Sequence, residues 1–425
     1  MDDLPDELLL RVFQYYSTDG SDMKSILTFG AVCSTWRGIC YLRTIDRQAS
    51  QTLNDIRMQM ILPRFSETLS QVTLDIRKSS LSPKSIDLLQ RCTHLVRLNV
   101  INVGTTDLLP ALVRLIPKIP LRDFSLESSN LYPIDPIMYS MAGHSTLKNV
   151  SIQAERITVT LFSTLLQMNR GIERLRVGRV VNIGDESILT STIESYPSLT
   201  SLHLNYMQLP HPPILAALRN KRITSLGLSQ ISHRDVTNIF LTDGGLHHLD
   251  HITHLSLDVV RKIDPALPFP LPSSIPLYPS LSHLEYRGPF FSSNVCLVLR
   301  DILESSSSLK SLTLIDNRFH STQFSILLDG LRANQSITSL HVEANDVDLG
   351  LLCPLLANNN QLRRVILSDE MRDKDPHVCK LIDTMADINE KLQLLDREGD
   401  VKLREKIRRN HTKLKKQIAQ MFERL

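Results

Sequence analysis

Four histidines, His247, His248, His251 and His254, fall within eight residues. Histidines one helical turn apart can share a metal ion, so this cluster is where metal chemistry would lie. The hydrophobic pattern places His254 on a strand and the other three in the loop before it. That division gives the four rings no common geometry, and no metal or other cofactor is assigned. Six cysteines stand at 33, 40, 92, 296, 353 and 379 with no C-x-x-C pair. No cysteine is placed with a histidine in a recognisable motif, and G-x-x-x-x-G-K-[ST], H-E-x-x-H and G-x-S-x-G are missing from the sequence. The residues therefore point to binding, and the chain is read as a non-enzyme.

What organises the chain is a six-residue pattern, apolar-x-x-apolar-x-apolar. It begins at Leu69, Leu95, Leu121, Leu147, Ile172, Leu199, Ile223, Ile252, Leu281, Leu309, Ile337 and Leu362, and successive copies start 24 to 29 residues apart. Self-similarity at that period, with that hexad, is the signature of a leucine-rich-repeat solenoid. Each hexad is expected to form a short strand with its apolar residues inward. Amphipathic segments between hexads, such as Pro83 to Cys92, Val159 to Met168, Asp185 to Tyr196, Asn294 to Leu303, Thr322 to Leu331 and Leu349 to Leu356, are expected to be helices on the opposite side. Helices are wider than the strand spacing, so the expected fold is a curved α/β solenoid of about twelve repeats, resembling the ribonuclease-inhibitor-like branch of such repeats.

Alternation turns the third and fifth hexad positions outward, onto the concave strand face. Nearly all of them are polar. Twelve strands at the usual spacing give a surface about 55 Å long, room for a folded domain or an extended peptide of about 16 residues. The candidate substrate-binding residues on it are Arg97, Arg174, Arg176, His203, His254, His283, Glu285 and His341. With Arg179, the arginines suit an acidic or phosphorylated segment, whereas Asp258, Glu285 and Glu343 further along mix the sign. A polar strand face with no ligand stays open as the plainer reading.

Residues 1–45 read differently. Asp2 or Asp3 can cap a helix with Pro5 in its first turn, and Leu4, Leu8, Leu9, Val12 and Phe13 fall at helical spacing. Two further helical patterns follow, through Met23, Ile26 and Leu27, then through Ala31, Val32, Trp36 and Ile39. Three short helices cannot bury a core unaided, which implies a partner surface. Leu4-Pro5-x-Glu7-Leu8, Val12-Phe13, Ile26-Leu27 and Val32-Cys33-Ser34-Thr35-Trp36-Arg37 resemble the F-box motif. The resemblance implies docking on a Skp-family linker and, through it, a cullin-RING ubiquitin ligase. Leu4, Pro5, Leu8, Val12, Phe13, Val32 and Trp36 would carry that contact. The structural alternative is a helical cap over the first repeat.

Residues 46–68 continue a helix-like pattern up to Pro63 and are expected to join this module to repeats spanning 69–372. The stretch from Asp264 to Pro279 replaces a repeat helix with a proline-stiffened insertion, either an outer loop or a docking segment. Residues 373–425 form a C-terminal cap and a basic helix. Lys402 to Leu425 holds nine Lys/Arg against two Glu, a charge of +7 that leaves −4 on the other 401 residues. Its apolar stripe permits weak self-association as a coiled coil, folding back on the repeats, or a targeting, acidic-membrane or RNA contact.

The whole chain balances 48 basic against 45 acidic residues, which argues against a general nucleic-acid or membrane binder. The start MDDLPDELLL is acidic where a signal peptide would be basic, and the uncharged run from Pro265 to Leu284 holds six prolines, so it cannot be a membrane helix. The expectation is a reducing compartment, cytoplasmic or nuclear. By the resemblance, the chain would be a substrate adaptor for ubiquitin-dependent degradation. A repeat scaffold with no part in ubiquitin transfer is the alternative, and no substrate is named by the sequence.

Overall fold

The computed structural model describes residues 70–75, 82–101, 108–128, 134–154, 156–181, 186–205, 219–231, 250–259, 280–288, 293–317, 321–343 and 361–367, with isolated positions between and beyond them as far as Asp387. The chain divides into two compact units, Met1–Gly178 and Arg179–Leu425.

In the first unit the strands β1 (Gln71–Asp75), β2 (Arg97–Ile101), β3 (Asp123–Glu127), β4 (Asn149–Gln153) and β5 (Arg174–Val177) lie side by side in chain order. All pairings are parallel, and the register matches hexad to hexad: Gln71 faces Arg97, Arg97 faces Asp123, Asp123 faces Asn149, and Asn149 faces Arg174. The strand begins at the third hexad position because the second position ends the preceding turn. There one carbonyl accepts two amides of the next repeat, as Val96 O does from Arg122 N at 2.8 Å and Asp123 N at 2.9 Å. The same double bond recurs at Ser70, Arg122 and Lys148. A register slip would break it and would turn the apolar set to the wrong face.

Inward positions are closed. Leu74, Leu98, Val100, Leu126, Ile152 and Val177 have no accessible surface. Behind them stand α1 (Pro83–Leu88), α2 (Leu109–Leu115), α3 (Asp135–Ser140) and α4 (Val159–Met168). Ser82 caps α1 ahead of Pro83, its hydroxyl accepting from Ser85 N, and Thr158 caps α4 through Leu161 N. In both cases a hydroxyl takes up an amide the helix cannot. Burial at Ile86, Leu112, Ile137 and Phe162 seats these helices on the strand layer.

The second unit repeats the plan with β6 (Ser201–Asn205), β7 (Ser225–Ile231), β8 (His254–Val259), β9 (His283–Arg287), β10 (Ser311–Ile315), β11 (Ser339–Glu343) and β12 (Arg364–Leu367) in chain order, all parallel. In neither unit does the first strand pair with the last. The described helices here are α5 (Glu186–Ser195), α6 (Ser293–Ser305) and α7 (Ser321–Ala333), and α6 packs on α7. The fold is a leucine-rich-repeat solenoid of the α/β class, and every expected hexad strand is present.

Asparagines that the sequence reading did not single out tie the turns together. Asn220, Asn334 and Asn359 each stand three residues before a hexad and are buried. Asn334 Nδ2 donates to Leu303 O at 2.6 Å and Ser306 O at 2.9 Å, both in the preceding repeat. Its Oδ1 accepts from Ser336 N and Ile337 N, each at 2.8 Å. Asn220 and Asn359 reach the preceding repeat in the same way. One amide thus satisfies the carbonyls left over at one helix end and closes the next turn.

Between β7 and β8 the register slips: Asp258 faces Ser229, but Val259 faces Ile231. Gln230 is the extra residue and adopts φ 60°, which makes the step a β-bulge. Cys92, Cys296 and Cys379 are buried free thiols, and burial pushes the first two up to about 11 and about 12. No described helix is long and apolar enough to cross a membrane. Residues 1–69, the insertion 264–279 and the segment 402–425 lie outside the described residues, as do the expectations that fall on them.

Candidate protein-binding face

Within each unit the outward positions form rows across the strands, because neighbouring hexads pair in register. In the first unit the third-position row is a chain of paired side chains. Arg97 Nη1 donates to Gln71 Oε1 at 2.9 Å, Arg97 Nε donates to Asp123 Oδ2 at 3.0 Å, and Asn149 Nδ2 donates to Asp123 Oδ1. Arg97 is thus already engaged by its neighbours. Arg174 and Arg176 differ: both are exposed on β5, and neither side chain has a hydrogen bond or ion pair among the described residues. Arg179 begins the second unit.

In the second unit the face carries four histidines in three environments. His203 Nε2 lies 2.9 Å from Ser229 Oγ. His341 Nε2 lies 3.2 Å from Glu343 Oε2 on its own strand. His254 and His283 share a row on adjacent strands, and their rings stack with centroids 4.1 Å apart and planes 8° from parallel. Both rings are exposed. Glu285 stands beside them with Arg287 at 4.0 Å. Desolvation, and then the neighbouring His283, lower the pKa of His254. Burial raises that of Asp258, against the opposing pull of Arg287.

The sequence candidates therefore separate. His203, His254, His283, Glu285 and His341 do gather on one unit's face, while Arg97, Arg174 and Arg176 lie on the other's. His247 and His248 lie outside the described residues, and His251 Nδ1 is 3.2 Å from Asp250 Oδ1 in the turn before β8. Among the described residues no group of three or more His, Cys, Asp or Glu is placed to hold a metal. Missed in the sequence was Arg287, which extends the outward alternation to a seventh position because β9 runs one residue past its hexad.

Fold and face together define a leucine-rich-repeat protein with a polar strand surface. The F-box-like family model matches residues 1–50, so an F-box-like domain precedes the repeats. Leu4, Pro5, Leu8, Val12, Phe13, Val32 and Trp36 all fall inside that match. No curated protein matches the chain. Among solved structures, the chain is similar to one from the Rad7 and Elc1 complex in yeast, at 18% identity over 86% of this chain and 93% of that one, with a TM-score of 0.49. It is also similar to the leucine-rich repeat-containing protein LegL7 from Legionella pneumophila, at 14% identity over 69% and 89% of the two chains, TM-score 0.41. The TLR13–ssRNA13 complex gives 16% identity over 69% and 41%, TM-score 0.41.

Proposed function

We propose that this chain is a non-catalytic substrate-recognition adaptor of a Skp-Cullin-F-box ubiquitin ligase. Its N-terminal residues bind a Skp-family linker, and its strand face binds the protein to be modified, in the cytoplasm or nucleus. The observation that carries the reading is the F-box-like match over residues 1–50 in the same chain as repeats whose outward rows are polar and set out in register. The mechanism is proximity. Holding a substrate beside a ubiquitin-loaded conjugating enzyme raises the effective concentration of its lysines, and the adaptor needs no reacting group of its own.

The apolar side chains Leu4, Leu8, Val12 and Phe13 would meet the linker, and a charge among them has no partner there. Co-expression of the linker with the full chain, wild type or Leu8→Asp, tests this. The wild type is expected to co-purify with the linker and the variant to lose it while its far-ultraviolet circular dichroism is unchanged. Equal recovery of linker by both would overturn the assignment. In that case the repeats serve a scaffold without ubiquitin transfer.

A further inference from the structure

We infer that the strand face around His254 and His283 takes a cationic side chain, lysine or arginine, of a basic polypeptide segment. The inference rests on the reading of this face as the partner-binding surface and adds the chemical class of the partner.

The argument starts from two hydroxyls. Thr253 Oγ1 donates to Thr224 O at 3.0 Å, and Ser282 Oγ donates to Thr253 O at 2.9 Å. A carbonyl can only accept, so each hydroxyl spends its single proton there. Each hydroxyl also lies 2.8 Å from the Nδ1 of the following histidine, His254 or His283. With its proton committed, the hydroxyl must accept, so Nδ1 carries the hydrogen in both rings. The neutral tautomer is thereby set, and both Nε2 atoms are left with lone pairs. The stacked, nearly parallel rings present the two acceptors side by side on the exposed face.

Parallel lone pairs on stacked rings do not converge on one point, so they do not make a tetrahedral metal site. They do suit donors, and their surroundings point the same way. Along the same face Glu285 stands two positions on from His283, with Arg287 beyond it; Asp258 stands four positions on from His254, in the field of Arg287, Glu285 and Asp316; and Lys310 comes just before β10. The outward residues of β7 and β10 that flank the row, Ser225, Gly227, Ser311 and Thr313, do not titrate. Among the described residues three carboxylates stand against Arg287 and Lys310 on this stretch of the face, which leaves it acidic, and Arg287 already lies 4.0 Å from Glu285 and in the field of Asp258. An anionic segment would meet lone pairs and like charge. An ammonium or guanidinium would meet acceptors and opposite charge.

The test is fluorescence anisotropy of the full chain with three labelled 16-residue peptides: lysine alternating with serine, glutamate alternating with serine, and phosphoserine alternating with glycine. Saturable binding of the lysine peptide alone is expected, weaker at pH 5.5 than at 7.5 because protonation turns Nε2 from acceptor to donor. The double variant His254→Phe/His283→Phe keeps a ring stack without acceptors and should weaken binding about tenfold or more, the loss of hydrogen bonds to a charged group. Glu285→Gln, a surface change that leaves the fold alone, should weaken it about threefold. Arg174→Ala/Arg176→Ala should leave it unchanged.

Absence of lysine-peptide binding, or acidic-peptide binding that strengthens at pH 5.5, would overturn the proposal. Linker co-purification is scored separately on the same variants. Loss of linker binding with lysine-peptide binding retained would count against the adaptor reading alone.

Discussion

The imidazole of His203 lies across the backbone of Gly227, its neighbour at the same repeat position on the next strand. A Cβ added at Gly227 would come within 2.7 Å of both Cε1 and Cγ of that ring. No side chain can stand there while the ring keeps its bond to Ser229. Gly227→Ala is therefore expected to cost about 1–3 kcal/mol by overpacking. Adding His203→Ala should recover most of that loss. Urea unfolding of both single variants and the double variant measures the coupling, and additive losses would show that the ring is free to move aside.

Asn334 offers a sharper case. Truncation to alanine takes the amide donor from Leu303 O, leaves Ser306 O with the Ser336 hydroxyl alone, and leaves the amides of Ser336 and Ile337 without their acceptor, at a residue that is 1% exposed. Each buried group left unmet costs about 1–3 kcal/mol. Asn334→Ala should accordingly lower stability more than substitution of any single exposed polar residue on the strand face. Hydrogen exchange should localise the loosening to the turns before β10 and β11, which Asn334 spans.

The paired row in the first unit predicts the opposite. Arg97 is 54% exposed at its side chain and Asp123 is 18% exposed, so solvent screens the pair, and Arg97→Ala should cost less than about 1 kcal/mol. Leu98→Ala, one residue on and fully buried, should cost about 2–5 kcal/mol. Equal losses in thermal unfolding would mean that the row, and not the core, holds the strands together.

Stability should also respond to His254 as pH changes. Its folded pKa is lowered by desolvation and by His283, so the unfolded chain takes up this proton at a higher pH than the folded one. The resulting penalty is absent above the ordinary histidine range and grows as pH falls through it. Chemical denaturation at pH 7.5 and 5.5 should show a smaller fall in stability for His254→Gln than for the wild type. An identical fall in both would exclude the stack as its source.

The repeats were legible because burial and periodicity coincide: each hexad is both a strand and three buried side chains, so one pattern reports two facts. The face was legible one step further, since alternation follows from the strand. His254 and His283 could be seen to share a row once the register was counted, but their stacking could not, because it depends on hydroxyls one residue before each ring. Asn334 was not legible alone, as an asparagine in a turn has many uses. Its recurrence three residues before the hexads at 172, 223, 337 and 362 was the available signal. The bulge at Gln230 had none, since neither glycine nor proline marks it.

The central claim is the coupling of an F-box-like segment to a binding face in one chain. Light scattering during size-exclusion chromatography of the full chain mixed with a purified Skp-family linker tests it most directly. The account predicts one peak with the summed mass of one copy of each, which Phe13→Ala weakens and His254→Phe/His283→Phe leaves intact. Separate peaks at micromolar concentrations of two folded proteins would contradict it.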